Sequence, residues 1–293
     1  MDSKTRESVK KNIFSHSLPS VEPWDEFLWH YNNRQRCDTN QLNSSQALAI
    51  SVFGYLKLVA QSERDLVMNT LALKLGLPHG GPWEVDLEWL DKENRLREKR
   101  RSQIDAVARS PNALIFFECK FTEKDGGSCS QTQRLKGHVQ CDGNYREQVD
   151  RINGIKSQCA LSGKGIRYWE VIPQVFNCSS DSDQEPCPFA GPWYQWMRNI
   201  VLCYEIARSL YVTPAFVIAY ADSEHFSVSK KDWSEFKAIL NRDAIIFDTI
   251  SYQNLLKIAC DIIKSSDLDD SIWKELRLWV DRRIKAMEKA TVQ

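Results

Sequence analysis

Alternating hydrophobic and polar positions between residues 83 and 121 predict three β-strands. In WEVDLEWL, residues 83–90, apolar side chains recur at every second position, which is the period of a strand with one buried face. A charged stretch, DKENRLREKRR, separates this strand from SQIDAVARS, residues 102–110, and the turn SPNA leads into ALIFFECKF, residues 113–121. These three strands predict a meander. Further along, TPAFVIAYA at 213–221 predicts another strand, and AIIFDTISY at 244–252 predicts a strand or a turn.

Apolar residues at helical spacing lie on both sides of this strand region. A helix is predicted to begin at Ser44 or Ser45, either of which can serve as its N-cap, and a second helix over Ser62–Leu75 ends at Gly76. Two helices close the chain, and other helical patterns cover residues 145–158, 193–210 and 232–240. Helices, then a meander, then helices alternating with further strands predict an α/β fold in which helices flank a mixed sheet.

Little hydrophobic periodicity precedes residue 41. We therefore predict an N-terminal arm with a short helix over residues 1–40 and a main domain over residues 41–293. The closing helices form a C-terminal helical extension of this domain. Most of residues 124–144 are polar, which predicts a long loop directly after the third strand.

Composition narrows the functional classes. The 39 basic residues balance the 39 acidic ones, which argues against a polybasic protein whose whole surface binds phosphate, although a local basic cleft remains compatible. The N-terminus is polar, and no apolar run reaches the length of a membrane span. Nine cysteines without a secreted context are expected to be mostly reduced. Together these features predict a cytoplasmic protein with no membrane partner.

Two carboxylates and one ammonium are predicted to meet at one edge of the meander. Glu118 and Lys120 are two residues apart in a strand, so their side chains project from the same face, while Cys119 points to the opposite face. Asp105 occupies the polar position of the preceding strand, and its neighbours Ile104 and Ala106 are expected to face the other side. A strand end and a tight turn separate Asp105 from Glu118, which brings the two acids together.

This set of residues suits metal-dependent hydrolysis of a phosphodiester. Mg²⁺ and Mn²⁺ prefer oxygen ligands, which Asp105, Glu118 and the backbone carbonyl of Cys119 would supply. A bound cation lowers the pKa of water and neutralises charge that develops on phosphate. Lys120 would orient the attacking water or stabilise that charge. The bland alternative is a solvated strand edge at which Lys120 pairs with Glu118 or Glu123.

The chain resembles the PD-(D/E)XK nuclease superfamily, whose fold is called restriction-endonuclease-like. Asp105 matches the first acidic position and Glu118-Cys119-Lys120 the (D/E)-X-K element, with Ile104 where the superfamily name has proline. NSSQALAISVFG, CDGNY, GIRYWE and PWYQWMRN resemble segments of an uncharacterised, mostly bacterial branch, over residues 43–199. The resemblance implies a mixed core sheet of about four strands between helices, and metal-dependent cleavage of nucleic acid. The resemblance implies DNA as the substrate only because most members of the superfamily act on DNA.

Several members of the superfamily carry one more acid on the first core helix, but the matching helix here has no Glu or Asp. The third metal ligand is therefore open among Glu63, Glu84 and Glu88. Some members also place a Gln on the helix after the motif. Gln195 is the candidate for that position, and Arg198 and Lys124 are candidates for contact with substrate.

Cysteines suggest a second kind of site. Cys129, Cys141, Cys178 and Cys187 lie in polar, loop-like segments, where an iron–sulfur cluster or a Zn²⁺ ion could staple the loops, although no C-x-x-C pair is present. Scattered thiols are the alternative. The five histidines show no metal-ligand spacing. Two rivals to the nuclease hypothesis follow: a non-catalytic nucleic-acid-binding module that retains the fold, and a cysteine-ligated metalloprotein.

Overall fold

A five-stranded mixed sheet is the centre of the protein. The computed structural model describes residues 1–31, 36–123, 125–132, 141, 159–178, 187–226 and 230–292. The strands lie side by side in chain order: β1 (Glu84–Leu90), β2 (Gln103–Arg109), β3 (Ala113–Lys120), β4 (Thr213–Tyr220) and β5 (Ile246–Ser251). The β1–β2 and β2–β3 pairs are antiparallel, and the β3–β4 and β4–β5 pairs are parallel. The predicted α/β fold and mixed sheet are confirmed, with five strands instead of about four.

Helices cover both faces of this sheet. They are α1 (Ser3–Lys11), α2 (Ser45–Ala49), α3 (Tyr55–Leu58), α4 (Gln61–Leu75), α5 (Ala160–Gly163), α6 (Tyr168–Val175), α7 (Tyr194–Leu210), α8 (Lys230–Ala238), α9 (Tyr252–Ser265) and α10 (Ser271–Val292). A π-helical turn, Ile50–Gly54, joins α2 to α3. Within the described residues, no helix is both long and apolar enough to cross a membrane.

Strand β3 separates two hydrophobic layers. Every residue of β3 is buried. Its side chains alternate, so that Ile115 and Phe117 pack with α2–α4, α9 and α10, while Leu114 and Phe116 pack with α6 and α7. Such burial on both faces explains why the ALIFF run lacks polar positions. The strand ends in charged residues only at its carboxyl end.

Several sequence-based predictions can be checked against these elements. Gly76 adopts φ +72° just after α4, a left-handed conformation that glycine tolerates without strain, and it ends the helix as predicted. The strand-or-turn segment 244–252 contains strand β5. The helix predicted over residues 145–158, most of the predicted loop 124–144, and Lys124 itself lie outside the described residues.

The N-terminal segment contributes to the main core. Val9 and Phe14 are buried in the hydrophobic layer that contains α4 and α9. The hydroxyl of Ser17 donates a 2.6 Å hydrogen bond to the carbonyl of Ser51, and the Ser51 hydroxyl accepts the backbone N–H of Phe14 at 3.0 Å. These contacts attach residues 1–40 to the π-helical turn. The domain boundary near residue 40 stays a prediction.

The N-cap of α9 provides a test of the local stability of this fold. Ser251 ends β5, and its hydroxyl accepts the N–H of Asn254 at 3.2 Å. We expect Ser251→Ala to lower the free energy of unfolding by about 1 kcal/mol, the usual cost of losing such a cap. Ser265→Ala, near the exposed end of the same helix, is the matched control and should change it by less than about 0.5 kcal/mol. Equilibrium urea denaturation measures both, and equal effects would contradict the capping role.

Candidate active site

The carboxyl end of β3 brings the three motif residues into one neighbourhood. The β2–β3 register pairs Ala106 with Phe117, so Asp105 lies next to Glu118 at the following position. Oδ2 of Asp105 accepts the backbone N–H of Cys119 at 2.7 Å. Nζ of Lys120 lies 2.8 Å from Oε1 of Glu118. The structure therefore places Asp105, Glu118 and Lys120 at the carboxyl end of β3, where Lys120 contacts Glu118 and Asp105 contacts the backbone of the intervening Cys119.

Glu118 is held from two sides. Its carboxylate is buried; Oε1 contacts Lys120, and Oε2 accepts a 2.9 Å hydrogen bond from Nδ2 of Asn199, a fully buried residue of α7. Burial lowers the pKa of Lys120, but the charges of Glu118 and Glu123 outweigh that effect and leave the pKa above its usual value. The side chain of residue 120 therefore carries a fixed positive charge beside the acid.

The β1–β2 ladder is interrupted where Glu88 faces Asp105. Leu87 pairs with Ala106 and Trp89 pairs with Ile104, and the two acids between them are left out of the register. Glu88 has φ +49°, a conformation that costs a non-glycine residue energy and persists where the surroundings enforce it. This interruption breaks the alternation of faces, because Ala106 packs in one hydrophobic layer and Ile104 in the other. The prediction that Ile104 and Ala106 share a face is wrong for this reason.

Three side chains hold the buried carboxylate of Glu88. Its Oε1 accepts a 2.5 Å hydrogen bond from Nε2 of Gln46. Its Oε2 accepts one of 2.6 Å from Nε2 of Gln103 and lies 3.1 Å from Nε2 of His30. Burial lowers the pKa of His30, but the hydrogen bond and the charge of Glu88 raise it above its usual value. Glu88 thus links the N-terminal segment, α2 and the sheet.

His30, Glu88 and Asp105 form a group of possible metal ligands. One nitrogen or oxygen of each lies within 4.8 Å of the others. Burial raises the pKa of Asp105 well above its usual value, and the charges of Glu118 and Glu88 raise it further. Two adjacent carboxylates and an imidazole fit a divalent cation. Glu118 is not part of this group, although its charge acts on Asp105.

A buried acceptor beside Glu118 supports the same fit. Oδ1 of Asn199 is buried and has no hydrogen-bond partner among the described residues. Because a buried amide oxygen without a donor is unfavourable, this position suits a ligand that brings a donor with it, such as a hydrated cation. The oxygen-rich donor set matches Mg²⁺ or Mn²⁺, and the imidazole is also acceptable to Mn²⁺.

The site adjoins a polar cleft of about 320 Å³. His30, Gln46 and Glu123 are among the residues that line this cleft. Oε2 of Glu123 accepts the backbone N–H groups of Phe121 and Thr122, which anchors the acid directly after β3. A substrate that entered the cleft would therefore reach residues that contact Glu88 and border Lys120.

Among the three candidates for an additional acid, Glu88 alone lies in this group. Glu84 pairs with Arg109 at 2.8 Å, at the far end of the β1–β2 ladder. Glu63 accepts a hydrogen bond from Nε1 of Trp273 on α10.

On α7, Asn199 contacts Glu118, whereas Gln195 lies one turn earlier, where its backbone N–H donates to Gly126 at 2.8 Å. Nε of Arg198 lies 3.8 Å from Glu98. Neither Gln195 nor Arg198 has a described contact with the motif acids.

Sequence reasoning missed several residues that contact the acids. Gln103 was detectable, since it lies two positions before Asp105 on the same strand. Gln46 had a weaker signal, as the one polar side chain among the buried positions at the start of α2. His30 and Asn199 had no such signal in the sequence. His30 is 75 residues from Asp105 in the chain, and on the helix that contains Asn199 the sequence-based candidate was Gln195.

Comparison with models of protein families finds a match that covers most of the chain. The family model described as "Restriction Endonuclease associating with ARP" matches residues 12–269, well over half of the chain. No curated protein and no solved structure shows a significant match. The match includes β1 to β5, α2 to α9, and each residue named above that contacts Glu88, Asp105 or Glu118. The chain therefore belongs to the restriction-endonuclease family of that description.

Proposed function

We propose that this chain is a metal-dependent nuclease that hydrolyses phosphodiester bonds in DNA. The observation that carries the proposal is the meeting of Asp105 with the Glu118–Lys120 pair at the end of β3, where the Asp105 carboxylate accepts the N–H of Cys119. Two acids and an ammonium on adjacent strands are what such hydrolysis requires. Membership in a restriction-endonuclease family supports nuclease activity in general.

Asp105 and Glu118 would hold Mg²⁺ or Mn²⁺, with Glu88 and His30 as further ligands or as supports for Asp105. The backbone of Cys119 favours this assignment, because the N–H and C=O groups of a strand residue point to the same neighbouring strand. Its N–H contacts Asp105, so its carbonyl faces the same side. When bound, the cation would supply an acidified water and neutralise charge on the phosphate.

Lys120 would act on the substrate side of the site. Its ammonium is buried and kept charged by Glu118 and Glu123, so it can stabilise negative charge that develops on phosphate or orient a water. Asn199 would position Glu118 through the 2.9 Å hydrogen bond to Oε2. Both Lys120 and Asn199 are buried, so they would act from fixed positions in the protein interior.

Exposed cations on the connection between β1 and β2 favour a polyanionic substrate. The β1–β2 connection, residues 91–102, leaves the sheet two residues after Glu88 and carries the exposed side chains of Arg97, Lys99, Arg100 and Arg101. Such cations would contact phosphates that flank the cleaved bond. Arg198 and Lys124, which the sequence suggests, are further candidates for contact with the substrate.

The position of Glu88 favours a catalytic nuclease over a non-catalytic nucleic-acid-binding module. The hypothesis of a binding module arose because the first core helix carries no acid. Gln46 of that helix donates to Glu88, so an acid from β1 lies where the helix meets the sheet. A further carboxylate therefore lies beside Asp105 in spite of the missing helical acid.

A calorimetric titration with Mn²⁺ tests the metal site. We expect wild-type protein to bind Mn²⁺, Glu118→Ala to lose this binding, and Glu88→Gln to weaken it by roughly tenfold or more, as loss of a ligand or of its support does. Glu84→Gln is the matched control, because Glu84 belongs to the same strand but pairs with Arg109 away from the acids. Plasmid cleavage with and without Mg²⁺ is measured in parallel. Absence of Mn²⁺ binding by wild-type protein would contradict the proposal, and so would equal affinities of the Glu84 and Glu88 variants.

A further inference from the structure

Four cysteines from separate segments line one largely apolar cavity. They are Cys129, Cys141, Cys159 and Cys187. Cys129 follows β3 by nine residues, Cys159 is the N-cap residue of α5, and Cys187 precedes α7. The other cysteines of the chain are not among the residues that line this cavity. The convergence of four thiols from distant positions is unusual for residues that serve only as small apolar core side chains.

Backbone hydrogen bonds fix three of these segments to one another. The N–H of Cys129 donates to the carbonyl of Ala190 at 3.2 Å, and the N–H of Ala190 donates to the carbonyl of Cys187 at 3.1 Å. The N–H of Cys141 donates to the carbonyl of Gln131 at 3.0 Å. The backbone therefore holds the thiols in position without help from a disulfide, and none joins the described cysteines.

The thiols are close enough to influence one another. Burial raises the pKa of Cys129 to about 11, and the neighbouring Cys159 and Cys141 act in the same direction. Burial likewise raises the pKa of Cys187 to about 12, with contributions from the three other thiols. Cys178 is a contrast, because burial alone accounts for its raised pKa. Cys178 belongs to the set suggested by the sequence but does not line this cavity, whereas Cys159 does.

We propose that Cys129, Cys141, Cys159 and Cys187 ligate a metal centre of thiolate type, either an iron–sulfur cluster or Zn²⁺. Each thiol would release a proton to solvent on binding, and the metal would offset the negative charges that the cavity otherwise disfavours. Aromatic neighbours, among them Phe189 and Tyr194, would shield the centre from water. This site uses none of the acids near Lys120 and does not depend on the proposed nuclease activity.

The metal content of the full-length protein, purified without oxygen, tests the proposal directly. Iron with acid-labile sulfide and a broad visible absorption band would support an iron–sulfur cluster, and stoichiometric zinc without iron would support a zinc centre. Protein that contains neither metal, or that forms disulfides among these residues under reducing conditions, would overturn the proposal. This measurement on wild-type protein needs no variant and is independent of folding defects.

Variants assign the metal to its ligands. We expect Cys129→Ser and Cys187→Ser to lose most of the bound metal, whereas Cys178→Ser, the matched control from the same part of the chain, keeps it. Retention of full metal content by both ligand variants would overturn the assignment. Protection of the four thiols against alkylation in wild-type protein, followed by their exposure after chelation, distinguishes metal ligation from a folding defect. The nuclease proposal is decided separately by Mn²⁺ binding at Glu118.

Discussion

Asp105→Asn is expected to abolish Mg²⁺-dependent cleavage of DNA and at the same time to raise the melting temperature of the metal-free protein. The loss of activity should reach about a thousandfold or more, because a bound cation supplies several kcal/mol of transition-state stabilisation. The gain in stability has a separate cause. Burial and the charges of Glu118 and Glu88 disfavour the ionised carboxylate at neutral pH, and an amide removes that charge while it can still accept the N–H of Cys119.

Differential scanning calorimetry with and without Mg²⁺ separates these effects. Each kcal/mol of added stability corresponds to a rise of about 2–4 °C for a protein of this class. Mg²⁺ should raise the melting temperature of the wild type, since a ligand that binds the folded state stabilises it, and should have little effect on Asp105→Asn. Asp86→Asn, on β1 and paired with Arg109 at 2.7 Å, is the matched control and should keep wild-type cleavage. Undiminished cleavage by Asp105→Asn would end the assignment.

Lys120→Met is expected to lower the cleavage rate by roughly 10²–10⁴-fold, the usual contribution of a positioned acid–base or charge-stabilising group. In contrast to the Asp105 variant, it should retain Mn²⁺ binding. Lys120 occupies Oε1 of Glu118 at 2.8 Å, and its removal leaves that oxygen available to the cation. The free protein should be less stable, because the buried carboxylate loses its charged partner and keeps the hydrogen bond from Asn199. Added Mn²⁺ should restore part of the lost stability.

Single-turnover cleavage and Mn²⁺ calorimetry on the same preparation measure both consequences. Lys274→Met is the control, since Lys274 is an exposed residue of α10 whose partner is Asp270, away from the motif acids. Wild-type cleavage by Lys120→Met would exclude a role in the reaction. If Lys120→Met loses both Mn²⁺ binding and cleavage, the lysine supports the metal site structurally. Measurement of binding and cleavage separately distinguishes this outcome from a role in the reaction.

Most of the sheet could be predicted from the sequence, because its strands carry strong local signals. The alternation over residues 83–90 and the apolar run before Glu118 reflect burial on one face and on two faces, respectively. Strand β5 was ambiguous, since four of its six residues are only partly buried and helix α9 follows at once. The order of the strands has no local signal in the sequence, because it depends on parallel pairing between β3 and β4, which more than 90 residues of chain separate.

The site was predictable where its geometry follows from the strand period and not where it follows from tertiary contacts. Glu118 and Lys120 are related by a spacing of two, and their position on one face of the strand was expected. The kink at Glu88 was not, because a left-handed glutamate has no pattern in the sequence and exists here through its hydrogen bonds to Gln46 and Gln103. Those partners come from other parts of the chain.

The way Glu88 is satisfied has a practical consequence for anyone who shortens this polypeptide. A fragment that starts at residue 47 would keep each acid and the lysine of the motif, and a sequence comparison would count it as an intact enzyme. It would nevertheless lack both His30 and Gln46, and the bent strand would have to retain an anion with Gln103 as its remaining described side-chain partner. If such a fragment were inactive, the cause would be the loss of residues 1–46. The result would not test whether the full-length chain cleaves nucleic acid.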